Sequence, residues 1–345
     1  MTRRSGFILL IAAFFLLCIL NVMLGSIPLS AADVWQSVFG GESVPETVRY
    51  IVLRSRLPQV FTALLAGASL GTGGLLMQTL FRNPLADPSI LGVNAGAGLG
   101  AAISILCFGG SVIGGVFSLT GFAVTTLSAF IGALAVVVLL LWCNTLMRSN
   151  LMLLIAGVMI SYIVSSIVSL LNFYATDYGV QSYVFWGMGN FGGLTDFRLL
   201  LFALCLLPAL LFLMFLINPL NALLLGDDYA HNLGVSVRKM RFWLLFVTGW
   251  LSAVVTACCG PIAFLGLAVP HLSRFLFRSS NHRIILPATI LMGANIALLC
   301  CLLSRIPGQH GMIPINVLTP LIGVPVVLVV IIRRRGESKG KWIKE

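Results

Sequence analysis

Nearly uncharged apolar stretches recur along this chain, over approximately 7–27, 57–80, 90–108, 112–142, 151–171, 199–217, 284–303 and 315–332. A hydrocarbon core about 30 Å thick needs roughly 20 apolar residues per helical crossing. Each of these stretches therefore reads as one membrane span. A ninth stretch, 242–272, is too long for a single crossing and is interrupted at Gly260-Pro261. Proline lacks the backbone N–H that a helix interior requires, so it ends or kinks a helix. Splitting the stretch there gives ten spans. Composition agrees: 59% of the 345 residues are hydrophobic and 9% are charged, whereas soluble domains carry about 25% charged residues. A soluble enzyme, a disordered chain and a nucleic-acid-binding domain are excluded.

Charge placement orients the bundle. Arg3-Arg4 precede the first span and Arg333-Arg334-Arg335 follow the last, so the positive-inside rule puts both termini in the cytoplasm. Of the 21 Lys and Arg residues, only Arg49, Arg54, Arg56, Arg198 and Arg305 then fall on the outer side. The net charge of +11 is thus a topology signal. The first apolar run is read as an uncleaved helix rather than a secretory signal. The expected organisation is a single transmembrane unit over 1–345: a bundle at 7–332 with a cytoplasmic loop at 218–241, and a basic cytoplasmic tail at 333–345.

Catalytic and metal-binding patterns do not emerge. The eight cysteines lie in or at the ends of apolar spans without C-x-x-C spacing, and buried cysteine behaves as a small hydrophobe. His231, His271 and His282 fall near cytoplasmic ends and His310 on the outer side, so a shared metal site is not expected. There is no G-x-x-x-x-G-K-[ST] to cradle ATP phosphates. All ten acidic residues lie in loops or at span ends, whereas intramembrane carboxylates mark ion and proton relays. A solute mover built this way would take its energy from another subunit. Gly67, Gly71, Gly73 and Gly74 crowd the second span and Gly92, Gly96, Gly98 and Gly100 the third; such small residues let membrane helices approach closely.

Three polar segments interrupt this pattern. Arg82-Asn83-Pro84-Leu85-Ala86-Asp87-Pro88-Ser89-Ile90-Leu91-Gly92-Val93 follows the second span. Leu223-Leu224-Leu225-Gly226-Asp227-Asp228-Tyr229-Ala230-His231-Asn232-Leu233-Gly234-Val235 lies between the sixth and seventh, and reads as a short amphipathic helix stopped by Gly234. Gly260-Pro261-Ile262-Ala263-Phe264-Leu265-Gly266-Leu267-Ala268-Val269-Pro270-His271-Leu272-Ser273-Arg274 separates the seventh and eighth.

In this order the segments resemble those of the FecCD family, the permease subunits of type II ABC importers for iron–siderophore complexes, haem and cobalamin. The family patterns R-N-P-L-A-[DE]-P-x-x-L-G-[VI] and L-G-[DE]-x-x-A-x-x-L-G-[VI] are matched completely, and the third pattern closely. Asn83, Pro84, Asp87, Pro88, Gly92, Gly266, Pro270, His271 and Arg274 carry the first and third. His282-Arg283 resembles a D-H-R motif with Asn281 replacing Asp. Cys301 stands where many members have Asp four residues before Arg305, and Met312-Ile313-Pro314-Ile315-Asn316 departs from E-L-P-x-G.

The resemblance implies an all-α permease fold acting with a second copy of itself, two ABC ATPase subunits and a periplasmic or lipoprotein binding protein. ATP and Mg would bind the ATPases, and this chain would hold no cofactor and break no bonds. Gly226, Asp227, Ala230, Leu233, Gly234 and Val235 would form the segment presented to the ATPase, although a helix lying on the membrane surface fits the same pattern. Ser149 and Asn150 would stand at the inner gate. Arg56, Arg305 and Arg54 would face acidic residues of the binding protein, with interfacial snorkelling the alternative. Phe173, Tyr174, Tyr178, Tyr183, Phe185 and Trp186 would sit near the outer mouth, facing a chelate or forming an aromatic belt. A secondary transporter and a non-transporting intramembrane enzyme or scaffold are the competing functions. A bacterial inner-membrane location is expected.

Overall fold

The structure, a computed structural model, describes residues 3–40, 44–107, 118–147, 149–306 and 311–341, without the side chains of 118–120, 150 and 330–341. Its helices are α1 (Arg3–Met23), α2 (Ala31–Phe39), α3 (Glu46–Tyr50), α4 (Leu57–Phe81), α5 (Val93–Ala102), α6 (Ser118–Leu146), α7 (Asn150–Tyr174), α8 (Asp177–Gly187), α9 (Asp196–Phe215), α10 (Ile217–Leu224), α11 (Asp227–Asn232), α12 (Val237–Cys259), α13 (Leu265–Phe277), α14 (His282–Leu303) and α15 (Ile315–Lys341). A π-helical segment, Ile51–Arg56, runs α3 into α4, and a second, Ile103–Cys107, extends α5. Among the described residues, seven helices are long and apolar enough to cross a membrane. Three shorter apolar ones, Val93–Cys107, Leu265–Phe277 and Ile315–Val329, complete the ten expected spans.

Residues in α4 are buried all round from Pro58 to Leu80, save Phe61 and Leu64. A helix that is apolar on every side belongs in the interior, and its glycines are what allow neighbours this close. A Cβ added at Gly67 would lie 2.2 Å from the Gly293 carbonyl oxygen on α14, and one at Gly74 only 1.8 Å from that of Gly266 on α13. Helices α6, α7 and α9 instead turn large apolar side chains outward, among them Leu127, Ile163 and Leu211. The break at Gly260-Pro261 is real: α12 ends at Cys259 and α13 begins at Leu265. Gly260 has φ +80°, and a Cβ there would meet the Trp186 carbonyl oxygen at 2.5 Å, so glycine answers both conformation and space. The turn after α8 plugs the gap, with Asn190 N–H donating to the Cys259 carbonyl (2.8 Å).

Candidate functional site

Helix α11 is held by its own ends. Its N-terminus begins at Gly226, where φ is +124°. Asp227 in its first turn pairs with Arg82, the left-handed residue that ends α4, and lies 3.7 Å from Arg241 on α12. An acidic residue in a first helical turn also complements the helix dipole. At the other end Val235 N–H donates to the Ala230 carbonyl and Gly234 N–H to that of His231, both at 2.9 Å. With Gly234 at φ +81° this is a Schellman closure. One expectation changes here. Ala230 is fully buried against its own chain, so it is the seat of α11 and not its outward face. The outward apolar surface consists of Leu225, Tyr229 and Leu233, each more than half exposed. A helix of six residues spans less than two turns, so the sequence offered no periodicity from which to read its facing.

The other two polar segments close on each other beside it. His271 on α13 donates from Nε2 to the Pro84 carbonyl oxygen at 2.8 Å. Arg274 donates to Gln78 Oε1 (2.5 Å), and Gln78 donates to the Leu267 carbonyl (3.3 Å), linking α4 to α13. Asn83 Oδ1 accepts from Leu85 N–H (2.9 Å), shaping the turn. Asp87 accepts through Oδ1 from the N–H (2.8 Å) and O–H (2.6 Å) of Ser89. Its other oxygen is buried at the first turn of α13, where a Cβ on Gly266 would lie 2.5 Å from it and 3.1 Å from Pro88. Burial raises the pKa of the Asp87 carboxyl, against the downward pull of hydrogen bonds from Ser89 and the Leu267 backbone. Gly92, at φ +84°, packs beneath Ser161 and Gly157 of α7. Pro270 is buried within α13.

His282 belongs to this region although it was not among the candidate site residues. Its Nε2 meets Thr79 Oγ1 on α4 (3.0 Å), and its Nδ1 and backbone N–H both meet Asn221 Oδ1 on α10 (3.0 and 2.8 Å). Asn281 caps α14 by accepting from Arg283 N–H at 2.9 Å. The D-H-R resemblance was the signal that could have marked it.

At the start of α7, Ser149 is exposed and makes no capping hydrogen bond from its side chain. The Asn150 side chain, Arg148 and His310 lie outside the described residues. The first turns of α7 lean on the Pro88–Leu91 turn, since a Cβ on Gly157 would lie 2.9 Å from Leu91 Cα.

The opposite end of the bundle corrects a second expectation. Arg56 donates to the carbonyls of Val22 and Met23 (2.7 Å each) and Ile27 (2.6 Å). Arg305 donates to those of Asn21 (2.5 Å) and Leu24 (2.8 Å), and to Gln59 Oε1 (2.5 Å). The orphan carbonyls at the end of α1 are thus capped by two arginines that are 4% and 6% exposed. Neither presents its charge outward. Arg54 does: it is half-exposed and paired with Asp196.

Between these ends α7 exposes Ser165, Ser166 and Ser169 alongside large apolar side chains such as Ile163 and Leu170. A cavity of about 320 Å³ adjoins this face, lined by Asn94, Ser165, Ser169, Tyr183, Trp186 and Pro261 among others. Asn94 Oδ1 accepts from Thr256 (2.9 Å) and Ser252 (3.3 Å) of α12, which orients the amide. Tyr183 and Trp186 stack 6.0 Å apart on α8. The predicted aromatic group therefore divides: these two line the cavity, while Phe173, Tyr174, Tyr178 and Phe185 are exposed.

Comparison with known proteins fits this geometry. The model of the FecCD transport family matches residues 10–333. The vitamin B12 import system permease protein BtuC of Klebsiella pneumoniae is 34% identical over 312 residues, 90% of this chain and 91% of that one. BtuC of Escherichia coli O9:H4 is 34% identical over 320 residues, covering 93% and 95%. Among solved structures, a metal-chelate type ABC transporter in an inward-facing conformation aligns at a TM-score of 0.81 with 32% identity, over 94% of this chain and 97% of the other.

Proposed function

Because the chain belongs to the FecCD transport family, we propose that it is the multi-pass inner-membrane permease through which an ATP-driven importer passes a bulky metal chelate, cobalamin foremost. The observation that carries this reading is the joining of the α11 segment, the Arg82–Gly92 turn and α13 into one polar hub at a single end of the bundle. Two copies would enclose a pathway walled by the serine face of α7, and each α11 would seat in a separate ATPase subunit that binds ATP and Mg. A binding protein would deliver cargo at the opposite end. Closure of the ATPases would push on Leu225, Tyr229 and Leu233, and the load would pass through Asp227–Arg82 to the end of α4. From there Pro84–His271 would carry it to α13, and Leu91–Gly157 to α7 and the gate region of Ser149 and Asn150. Such a ligand-driven switch needs contacts that differ between its two states.

Cobalamin is favoured by the relatives' activity and by a cavity whose named walls carry hydroxyls, an amide and a stacked aromatic pair without a charged group. The test reconstitutes the permease with its ATPase and binding protein in proteoliposomes, and measures ATP-dependent uptake of cobalamin, haem and a ferric siderophore. Uptake of cobalamin above the other two is expected. Uptake of none of them, with a binding protein that retains none, would sink the proposal.

A further inference from the structure

We propose that Asn221 and His282 are positioning residues for energy coupling, latching α10, and with it the ATPase-facing α11, onto the N-terminus of α14. This role presupposes α11 as the ATPase contact, and it adds a route that the Asp227–Arg82 pair does not supply.

Only Leu225 and Gly226 separate α10 from α11. That joint is closed by its own hydrogen bonds: Leu225 N–H to the Ala222 carbonyl (3.1 Å), Gly226 N–H to that of Leu223 (3.3 Å) and Ala230 N–H to that of Gly226 (2.9 Å). Whatever holds α10 therefore sets where α11 stands. One side of α10 is fixed by burial of Leu220 and Leu223. Asn218 and Asn221, three residues apart and so on one face, both meet α14. Asn218 Oδ1 accepts from the Arg283 guanidinium (3.2 Å), and Asn221 Nδ2 donates to Asn281 Oδ1 (3.1 Å).

The acceptors fix which atom does what. Asn281 Oδ1 already accepts from Arg283 N–H as the cap of α14, so the amide N–H2 of Asn221 is the end that faces it. The Asn221 oxygen is left for His282, where it meets the backbone N–H at 2.8 Å and Nδ1 at 3.0 Å. That N–H is one of the donors a helix N-terminus leaves unpaired. Nδ1 must carry a proton, since an amide oxygen can only accept. Across the ring, Nε2 lies 3.0 Å from Thr79 Oγ1, whose hydroxyl turns either to it or to the Leu75 carbonyl at 2.9 Å. One buried imidazole thus joins α10 and α4 at the first residue of α14.

The same helix reaches the opposite end of the bundle. Asn295 donates to the Leu10 carbonyl of α1, and the Leu298 carbonyl accepts from Asn21 of α1, both at 3.0 Å. Arg305, two residues past the end of α14, caps α1. A displacement of α11 passed through α10 would so reach the end where cargo arrives along one helix.

Side-chain length separates this role from packing. In His282→Asn the amide nitrogen falls where Nδ1 was and keeps the bond to Asn221. In His282→Gln it reaches the Nε2 position and keeps Thr79 instead. Asparagine leaves the larger void and should melt at the lower temperature, so packing orders the two variants one way and the latch the other. The experiment uses the permease with its ATPase and binding protein in proteoliposomes and measures cobalamin taken up per ATP hydrolysed. That ratio should fall about tenfold in Asn221→Ala, within the usual range for coupling between sites. It should fall by less in His282→Gln and stay near wild type in His282→Asn. Hydrogen exchange of the 226–235 amides should quicken in the same order. A ratio that follows melting temperature, or one unchanged in Asn221→Ala, overturns the latch. Should wild type take up no cobalamin, the cargo reading falls by itself, and the order of exchange still decides for or against the latch.

Discussion

Asp87 shows how one residue can be placed by sequence yet characterised only by surroundings. Its position between two prolines marks a helix break, which any reader of the chain can see. Its burial against the first turn of α13 depends on Gly266, 179 residues away, having no side chain. The folded carboxyl titrates above its unfolded value, so the folded state binds its proton more tightly. That contribution to stability is complete below the unfolded value, about 3.9, and is lost as pH rises through the raised folded value. Asp87→Asn keeps an oxygen for Ser89 and removes the ionisation. Thermal unfolding of detergent-solubilised protein should therefore converge for the two forms in acid, with the variant the more stable at neutral pH. Parallel curves would refute a buried ionising Asp87.

Among the elements, α11 carries the sharpest expectation. Leu233→Asp and Tyr229→Asp alter an exposed surface and should leave the melting temperature close to wild type while abolishing stimulation of transport by ATP. Ala230→Trp must overfill a closed site, for which overpacking typically costs about 1–3 kcal/mol, and should lower stability as well as transport. Uptake and melting curves measured together separate the two effects. Normal transport by Leu233→Asp would disqualify this face as the ATPase contact. The ten spans themselves were legible because length and apolarity are local properties, and the break before α13 because proline announces it. The outward face of α11 was not, and neither were the short helices α2, α8 and α10, whose shape depends on what they rest against. The inward turn of Arg56 and Arg305 is hidden from the sequence for the same reason. Their carbonyl acceptors are 29 to 34 and 281 to 284 residues away, and nothing in the surrounding sequence names them.

For the whole molecule, the two arginines and Arg54 divide the labour of the end opposite α11. Arg56→Ala or Arg305→Ala strips donors from buried carbonyls, each worth about 1–3 kcal/mol when left unsatisfied, and should lower the melting temperature. Arg54→Glu should leave folding intact and slow association with the binding protein, an effect that fades as salt rises. The measurement is association rate against ionic strength for the three variants. A slowed rate in Arg56→Ala at unchanged stability would restore that residue to the docking surface.

The seam between Gly67 and Gly293 also has a consequence in time. Those two residues are separated by more than 200 positions, and synthesis proceeds at about 5–20 residues per second. The helix that ends as the centre of the bundle therefore waits roughly 10–45 s in the bilayer before its partner is made. Through that interval its glycine-lined flank lies open to whatever helix is nearest, including one from a neighbouring nascent chain. Biogenesis of this protein is thus exposed to mispairing in a window set by gene order and ribosome speed, and slowing translation between α4 and α14 lengthens that window.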